Sequence, residues 1–444
     1  MGTGSTRCAV RRVAAATVLG LLLAGAAAAP AVSAETARQE QWYLDRMQAE
    51  SMWKTSTGKG ITVAVIDTGV DATNPDLAGR VLAGKDYATD RPGDEHTNYD
   101  PFGHGTSMAA LIAATGANFG GKGSYGLAPG VKILPIRMPD SEASANLAEG
   151  DSAFNEALAP AIRYAVDHGA KVINISMGAS ETTPQVTDSV KYALGKGALI
   201  FAAAGNTGDK ANLPEYPAAT PGVVGVAAVG KDLRRTAASQ YGPQVDMAAP
   251  GEDMVHACGG KTGLCTTSGT SDSTALASAS AALIWSVHPT WTNNQVLRVM
   301  LNTIGGPTDG AKRNDAIGYG IVRPRIALQT PGDPGPANVY PLPDLAAAEK
   351  SPSPAPSAKA SEPAKAVAAT KDDDATPWLG IGLGAAALAA AGAAATAVAR
   401  KRRTPPTPQQ PQNQPYPAPQ QGFGPPPTMP TNVPPPPPHN PGPN

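Results

Sequence analysis

The sequence predicts an α/β fold in which helices cover both faces of a mostly parallel β-sheet. Between residues 60 and 328, short runs rich in Val, Ile and Ala alternate with helix-length segments. These runs lack a polar face, which is typical of parallel strands that are buried on both sides. Polar residues directly follow several runs, at the strand ends where α/β sheets carry their functional residues.

Five of the runs have the length of buried strands, and two segments between them have the length of helices. The predicted strands cover residues 61–66, 131–136, 172–175, 199–204 and 223–229. The predicted helices cover residues 152–168 and 184–197. This alternation predicts a parallel sheet with a helix layer on each side.

The first 34 residues have the composition of an export signal. Arg7, Arg11 and Arg12 precede an apolar stretch over residues 13–29, and small residues continue to Ala34. This pattern predicts a signal peptide over residues 1–34, cleaved after Ala34, and export of the remaining chain. The alternative is an uncleaved signal anchor.

A second apolar run, residues 378–399, contains no charged residue. As a helix it would span about 33 Å, which is enough to cross a bilayer. Aspartates 372–374 precede the run and the basic residues 400–403 follow it. The positive-inside rule therefore predicts one transmembrane helix in the cell membrane, with the globular part outside and the C-terminal tail in the cytoplasm. The alternative is a soluble alanine-rich helix, although such a helix would normally carry a polar face.

Two low-complexity segments flank the predicted membrane helix. Residues 331–377 are rich in Pro, Ala, Ser and Lys, which predicts a linker because so few large apolar residues cannot offset the entropy of ordering. Residues 400–444 begin with the four basic residues 400–403, which we call the basic stop, and continue as a Pro-rich stretch. This composition predicts a disordered cytoplasmic tail. The net charge is −1 and no broad basic stripe exists, so no nucleic acid partner is predicted.

The cysteines predict one disulfide. Cys8 lies in the predicted signal peptide, so the exported chain would keep only Cys258 and Cys265. An oxidising compartment would favour a bond between them, which closes a small loop ahead of Ser271. A zinc site is the less favoured alternative, because two thiolates do not complete one. Residues 86–100 show no recognisable spacing of calcium ligands, and no metal or cofactor is predicted.

Two polar residues at the ends of predicted elements have the chemistry of a general base and its partner. Asp67 directly follows the strand 61–66, and His104 lies between two glycines at the start of a predicted helix. A carboxylate in this position also caps helices or binds metals, and a single histidine is often structural.

Two further residues have the chemistry of a nucleophile and an oxyanion donor. Ser271 opens a helix of small residues, whose N-terminal N–H groups would face the hydroxyl, and Asn206 follows the strand 199–204. A serine that merely caps the helix would look similar. Together with Asp67 and His104, these residues supply every group that amide hydrolysis requires.

The order Asp67, His104, Asn206, Ser271 resembles the subtilase family of serine proteases. The four contexts are AVIDTGVD, GHGTSMA, AAAGN and SGTS, and the resemblance spans about residues 40–328. It implies a subtilisin-like three-layer domain over residues 61–330 with Asp67, His104 and Ser271 as the catalytic triad and Asn206 in the oxyanion hole. It also implies that Ser176, Met177 and Gly178 line one side of the substrate cleft.

The chain departs from the family pattern at two places. The fourth residue after Ser271, usually proline in subtilases, is Ala275. Residues 35–60 are too short for a folded pro-domain and are predicted to form an N-terminal extension, with residues 41–53 packed on the domain. Residues 139–150 form a polar insertion near the expected cleft, which we interpret as surface decoration in preference to a gate.

The predicted order of segments resembles the mycosins, the membrane-anchored subtilases of type VII secretion systems. The resemblance implies a serine endopeptidase outside the cell membrane that processes exported protein substrates beside the secretion complex. The alternative function is a structural component that stabilises this complex with little turnover.

Overall fold

The computed structural model describes residues 36–350 with the exception of residue 90 and residues 260–262. The predicted signal peptide, membrane helix and cytoplasmic tail lie outside the described residues, as does the predicted linker beyond residue 350. Within the described part of the chain, we find no helix with the length and apolar character needed to cross a bilayer.

Seven parallel strands form the central sheet. They are β1 (Thr62–Asp67), β2 (Lys85–Asp86), β3 (Lys132–Arg137), β4 (Val172–Ile175), β5 (Leu199–Ala203), β6 (Val224–Val229) and β7 (Met247–Pro250). Their order across the sheet is β2-β3-β1-β4-β5-β6-β7. An antiparallel pair, β8 (Met254–Ala257) and β9 (Leu264–Thr267), lies apart from it. The predicted parallel sheet is confirmed. The edge strand β2 escaped prediction because its two residues are polar.

Helices flank the sheet on both sides. They are α1 (Ala37–Glu40), α2 (Trp42–Met47), α3 (Ala49–Trp53), α4 (His104–Ala113), α5 (Asn118–Gly121), α6 (Leu147–Asp167), α7 (Pro184–Gly195), α8 (Thr270–Val287), α9 (Asn293–Asn302), α10 (Pro324–Gln329) and α11 (Pro343–Lys350). Helices α6 and α7 pack on one face, and α4 and α8 pack on the other. Helix α6 begins five residues before the predicted start, since Asn146 caps it by accepting a hydrogen bond from the Glu149 N–H at 3.0 Å.

The strand order brings the predicted site residues to one edge of the sheet. Strand β1 lies between β3 and β4 and is parallel to both. In such a sheet a crevice forms outside the carboxyl ends of two neighbouring strands when the connections that leave them run in opposite directions along the sheet. Asp67 is the last residue of β1, Ser176 directly follows β4, and Asn206 lies just beyond β5.

Helix α8 runs through the interior and carries Ser271 in its first turn. Its alanines and serines are small, so the helix backbone approaches the sheet closely. Buried hydroxyl groups in this helix donate hydrogen bonds to backbone carbonyls one turn earlier. Thr274 donates to the Thr270 carbonyl at 2.7 Å, and Ser280 donates to the Leu276 carbonyl at 2.7 Å. Ala275, where the family usually has proline, is fully buried within this helix.

The N-terminal segment, residues 41–53, packs on the domain. Tyr43, Leu44 and Met52 are buried in the main hydrophobic core together with residues of α8. The Trp53 indole N–H donates to the Leu127 carbonyl at 2.9 Å. The apolar side chains of this segment therefore belong to the core of the domain.

Residues 331–350 differ from the linker that their composition predicts, because they are anchored to the domain. Leu342 is only 2% exposed, and the Tyr340 hydroxyl donates to the Gly222 carbonyl at 3.0 Å. Arg298 donates to the backbone carbonyls of Pro334 at 2.9 Å and Pro336 at 3.0 Å. A few specific contacts with a distant part of the chain are enough to order a segment whose local composition is that of a linker.

We predict that Gln41→Leu destabilises the domain by about 2–3 kcal/mol, because buried backbone groups lose their partners. The Gln41 amide donates to the Tyr125 and Val255 carbonyls at 2.8 and 3.1 Å and accepts from the Tyr125 N–H at 2.9 Å. Urea denaturation of the full chain measures the effect. The exposed Gln329→Leu variant is the control and should change the unfolding free energy by about 0.5 kcal/mol or less. Equal effects of the two substitutions would contradict the assigned role of Gln41.

Candidate active site

A cleft of about 770 Å³ opens at the carboxyl ends of β1, β4 and β5. Its lining includes every residue that the sequence predicts to face the substrate, namely His104, Ser176, Met177, Gly178, Asn206 and Ser271. Asp67 lies behind His104 and is fully buried. The structure thus brings together residues that are up to about two hundred positions apart in the sequence.

Asp67 fixes the orientation of the His104 ring. The Nδ1 atom of His104 donates to Oδ1 of Asp67 at 2.7 Å, and the Thr68 N–H donates to the same oxygen at 2.8 Å. The other carboxylate oxygen of Asp67 is buried and accepts no hydrogen bond from the described residues. Because Nδ1 carries the proton in this arrangement, Nε2 is free to accept a proton from a nucleophile.

The charges around His104 favour its protonated form. Burial of the ring lowers its pKa, but the charge and hydrogen bond of Asp67, together with Asp272 and Asp100, outweigh burial and raise the pKa of His104 to about 9. An imidazolium that forms during proton transfer is therefore stabilised by the site itself.

Glycines and Asp100 place His104 at the start of α4. Gly103 adopts a φ of 68°, a left-handed conformation that other residues rarely adopt. A Cβ atom at Gly105 would lie 2.2 Å from the Gly69 carbonyl oxygen, so only glycine fits there. The backbone N–H of His104 donates to the Asp100 carboxylate at 3.0 Å. Asp100 is not among the site residues predicted from the sequence, although an aspartate just before a helix start is a recognised capping signal.

Ser271 is tied to the end of β4 by two reciprocal hydrogen bonds. Its hydroxyl donates to the Ser176 carbonyl at 3.1 Å, and the Ser176 hydroxyl donates to the Ser271 carbonyl at 3.1 Å. Asn174 supports this contact by donating to the Ser176 hydroxyl oxygen at 3.0 Å. A hydroxyl has one proton, so the Ser271 hydroxyl must turn from Ser176 toward His104 before it can act as a nucleophile.

Asn206 is held so that its amide nitrogen remains available. Its side-chain oxygen accepts from the Thr270 N–H at 2.9 Å and from the Thr270 hydroxyl at 3.2 Å. The same hydroxyl oxygen accepts from the Gly205 N–H at 3.1 Å. With the oxygen occupied, the NH₂ group is the part of Asn206 that can donate to a negative oxygen in the cleft.

The predicted disulfide is confirmed. Cys258 and Cys265 are bonded across the turn between β8 and β9, with Cα atoms 5.9 Å apart. The same hairpin carries Thr267, which lines the cleft. The bond therefore restrains the element that leads into Ser271.

The insertion 139–150 is not mere surface decoration. Asp140, Ser141 and Ala143 line the cleft, and Asp140 forms an ion pair with Arg91 at 2.5 Å. From Leu147 onward, the predicted insertion is already part of α6. Sequence alone could not place this loop, because its position depends on the packing of α6.

A second buried hydrogen-bond chain lies next to Ser271 and involves Asp272, Thr267 and His256. Thr267 Oγ1 bonds to Oδ1 of Asp272, and His256 Nε2 lies 2.7 Å from Thr267 Oγ1. His256 Nδ1 must donate to the Ala257 carbonyl, 3.1 Å away, because a carbonyl can only accept. The single hydroxyl proton of Thr267 can be donated to only one of its two neighbours at a time.

Burial shifts the pKa values of the two titratable groups in this chain, Asp272 and His256. It raises the pKa of Asp272 to about 6 and lowers the pKa of His256 to about 4. Asp272 is therefore protonated in acid solution, whereas above its pKa it is ionised and its charge acts on His104. This hydrogen-bond chain is absent from the predictions made from the sequence, although a carboxylate directly after a candidate nucleophile in a helix of small residues is a visible signal.

Comparison with known proteins identifies the family. The profile of the Subtilase family, Peptidase_S8, matches residues 58–320. The chain belongs to the subtilase family of serine proteases. Thermitase from Thermoactinomyces vulgaris is 36% identical over 211 residues, which cover 48% of this chain and 70% of thermitase. The intracellular serine protease of Paenibacillus polymyxa is 34% identical over 245 residues, covering 54% of this chain and 71% of that protease.

Solved structures of mycosins resemble this subtilase. MycP1 from Mycobacterium smegmatis has a TM-score of 0.57 and 29% identity, covering 67% of this chain and 86% of that chain. The MycP3 protease from a type VII (ESX-3) secretion system has a TM-score of 0.55 and 32% identity, covering 64% and 87%, respectively. The α/β fold of this subtilase is therefore subtilisin-like.

We predict that Asp272→Asn moves the acid limb of the kcat/KM profile to lower pH by about 0.5–1 pH unit. Asparagine keeps the hydrogen bonds but cannot ionise, so it removes a charge that raises the pKa of His104. His104 then becomes the neutral base at lower pH. The wild-type midpoint should lie above 6.5, the ordinary value for histidine.

The measurement is peptide hydrolysis by the full chain as a function of pH. Asp253→Asn is the matched control, because it removes an exposed carboxylate near the same hairpin and should leave the midpoint unchanged. A midpoint that is the same in all three proteins would contradict the coupling between Asp272 and His104.

Proposed function

We propose that this subtilase is a membrane-anchored serine endopeptidase that cleaves exported proteins outside the cytoplasm. The observation that carries the proposal is the Asp67–His104 hydrogen bond of 2.7 Å, which orients His104 in the cleft that also contains Ser271 and Asn206. The triad is Asp67, His104 and Ser271. The family membership supports the reaction class.

The proposed reaction begins when Ser271 Oγ attacks the carbonyl carbon of a peptide bond and His104 Nε2 accepts the hydroxyl proton. Asp67 stabilises the imidazolium that forms. The tetrahedral oxygen accepts hydrogen bonds from the Asn206 amide and the Ser271 N–H. His104 then protonates the leaving amine, and water, activated in turn by His104, hydrolyses the acyl-enzyme.

A fluorophosphonate probe tests this assignment, because it phosphonylates only an activated serine. We expect the detergent-solubilised full chain to carry the adduct on Ser271, located by mass spectrometry of its peptides. Ser271→Ala should abolish labelling, whereas Ser268→Ala should retain it. A folded wild-type chain that remains unlabelled would instead favour the alternative function, a structural component with little turnover.

The proposed location follows from the segments outside the described residues. Residues 1–34 would direct export, residues 378–399 would cross the membrane, and the basic stop and tail, residues 400–444, would remain in the cytoplasm. The linker in this proposal begins after the anchored residues 331–350. A similar structure is described as MycP1 from the ESX-1 type VII secretion system. We therefore include such a complex as the partner and exported proteins as the substrates.

Deletion of residues 378–403 should release the protein from the membrane. We expect the full chain to stay in the membrane pellet after alkaline carbonate extraction, and the deleted chain to appear in the medium. Deletion of residues 404–444, which keeps the apolar run and the basic stop, is the matched control and should leave the chain in the pellet. Release of the full chain by carbonate would refute the anchor.

A further inference from the structure

Glu215 places a carboxylate inside the cleft, between two backbone walls. One wall consists of residues 176–178 after β4, and the other consists of residues 203–206 at the end of β5. A Cβ atom at Gly178 would lie 3.1 Å from Oε2 of Glu215, and one at Gly205 would lie 2.6 Å from Oε1. The carboxylate therefore contacts both walls beside Asn206, at positions where glycine leaves room for it.

The surrounding contacts hold one oxygen of Glu215 and leave the other available. The N–H groups of Ala179 and Tyr216 each donate to the other residue's carbonyl at 2.8 Å, which fixes the backbone beside Glu215 along the first wall. The Gln240 amide donates to Oε1 of Glu215 at 2.6 Å. Within the described part of the chain, Gln240 is the only side chain that donates to this carboxylate, so Oε2 can accept from a ligand.

The charges of the cleft favour a cationic ligand. Its described lining contains the carboxylates of Asp100, Asp140 and Glu215 and no lysine or arginine. Asp100 accepts from the Thr68 hydroxyl at 2.6 Å and from the backbone N–H of His104, and Asp140 is paired with Arg91. Among the described residues, Glu215 alone of these three lacks both a cation and a capping role.

Burial makes an unpaired charge at Glu215 unfavourable. It raises the pKa of Glu215, although the hydrogen bond from Gln240 opposes this effect. The nearby Asp151 adds further negative charge and raises the pKa as well. A lysine or arginine side chain from a substrate would compensate for the lost hydration of the carboxylate and would form a charge-assisted hydrogen bond with Oε2.

We infer that Glu215 determines specificity by binding a lysine or arginine side chain at the residue whose carbonyl Ser271 attacks. When that carbonyl oxygen lies beside the Asn206 amide, the side chain of the same residue enters the space between the two walls, where it meets Oε2 of Glu215. The substrate class is therefore proteins with Lys or Arg immediately before the cleaved bond. This inference rests on the proposed function, because it assigns the attacked carbonyl to Ser271 and Asn206.

Two matched peptidyl phosphonate probes test the inference without a known substrate. They differ only in the side chain next to phosphorus, which ends in an ammonium group in one probe and in a methyl group in the other. The second-order rate constant of Ser271 labelling is measured with the full chain. We expect the cationic probe to react at least about tenfold faster than the neutral probe.

Three variants separate binding of the cation from loss of structure. Glu215→Gln should reduce the rate with the cationic probe by about tenfold or more and leave the rate with the neutral probe nearly unchanged. Glu215→Asp should restore part of the preference, because it keeps the charge. Glu181→Gln is the matched control, since it removes an exposed carboxylate outside the cleft lining and should not alter the ratio of the two rates.

The possible outcomes distinguish this inference from the proposed function. Equal labelling of the wild type by the two probes, or an unchanged ratio in Glu215→Gln, would overturn the role of Glu215 while leaving Ser271 as the nucleophile. Loss of labelling by both probes in Glu215→Gln would show that Glu215 supports the structure of the site and would also overturn the inference. A wild-type chain that neither phosphonate nor fluorophosphonate labels would refute the proposed function itself.

Discussion

The parallel pairing of β1 with both β3 and β4 is the constraint on which the candidate site depends. Because the strands are parallel, their carboxyl ends meet at one edge of the sheet, and the loops that leave β1, β4 and β5 emerge side by side. Asp67, Ser176 and Asn206 each follow or end one of these strands. The cleft is thus a consequence of strand direction, and the side chains determine the chemistry within it.

Helix α8 contributes the other part of the site, through the residues of its first turn. It lies buried against the sheet, and its first turn meets the ends of β4 and β5 through two hydrogen-bond groups. One group joins Ser176 to Ser271, and the other joins Asn206 to Thr270. The candidate nucleophile and the candidate oxyanion donor are therefore both positioned by contacts with the first turn of α8. Movement of α8 relative to the sheet would disturb both at once.

Carboxylates dominate the electrostatics of the cleft, and each has a different task. Asp67 orients His104, Asp100 caps the backbone at the start of α4, and Asp272 accepts a hydrogen bond from Thr267. All three raise the pKa of His104, so the proposed base would be most effective in alkaline solution. Glu215 faces the space between the walls. Glu215 is therefore a separate carboxylate from the three that act on His104, and it is the one to which we assign the binding of a cationic side chain.

The sequence by itself determined the fold class, the disulfide and the residues of the candidate site, because these depend on local signals. Buried strands carry continuous apolar runs, and polar residues at strand ends stand out against them, as Asp67 and Asn206 do. The tertiary structure decided which distant residues meet. It alone showed that residues 331–350 are anchored through Arg298 and Tyr340, that Asp140 reaches the cleft, and that Thr267 links His256 to Asp272. Such contacts join residues far apart in the chain, and neither composition nor periodicity encodes a distance in space.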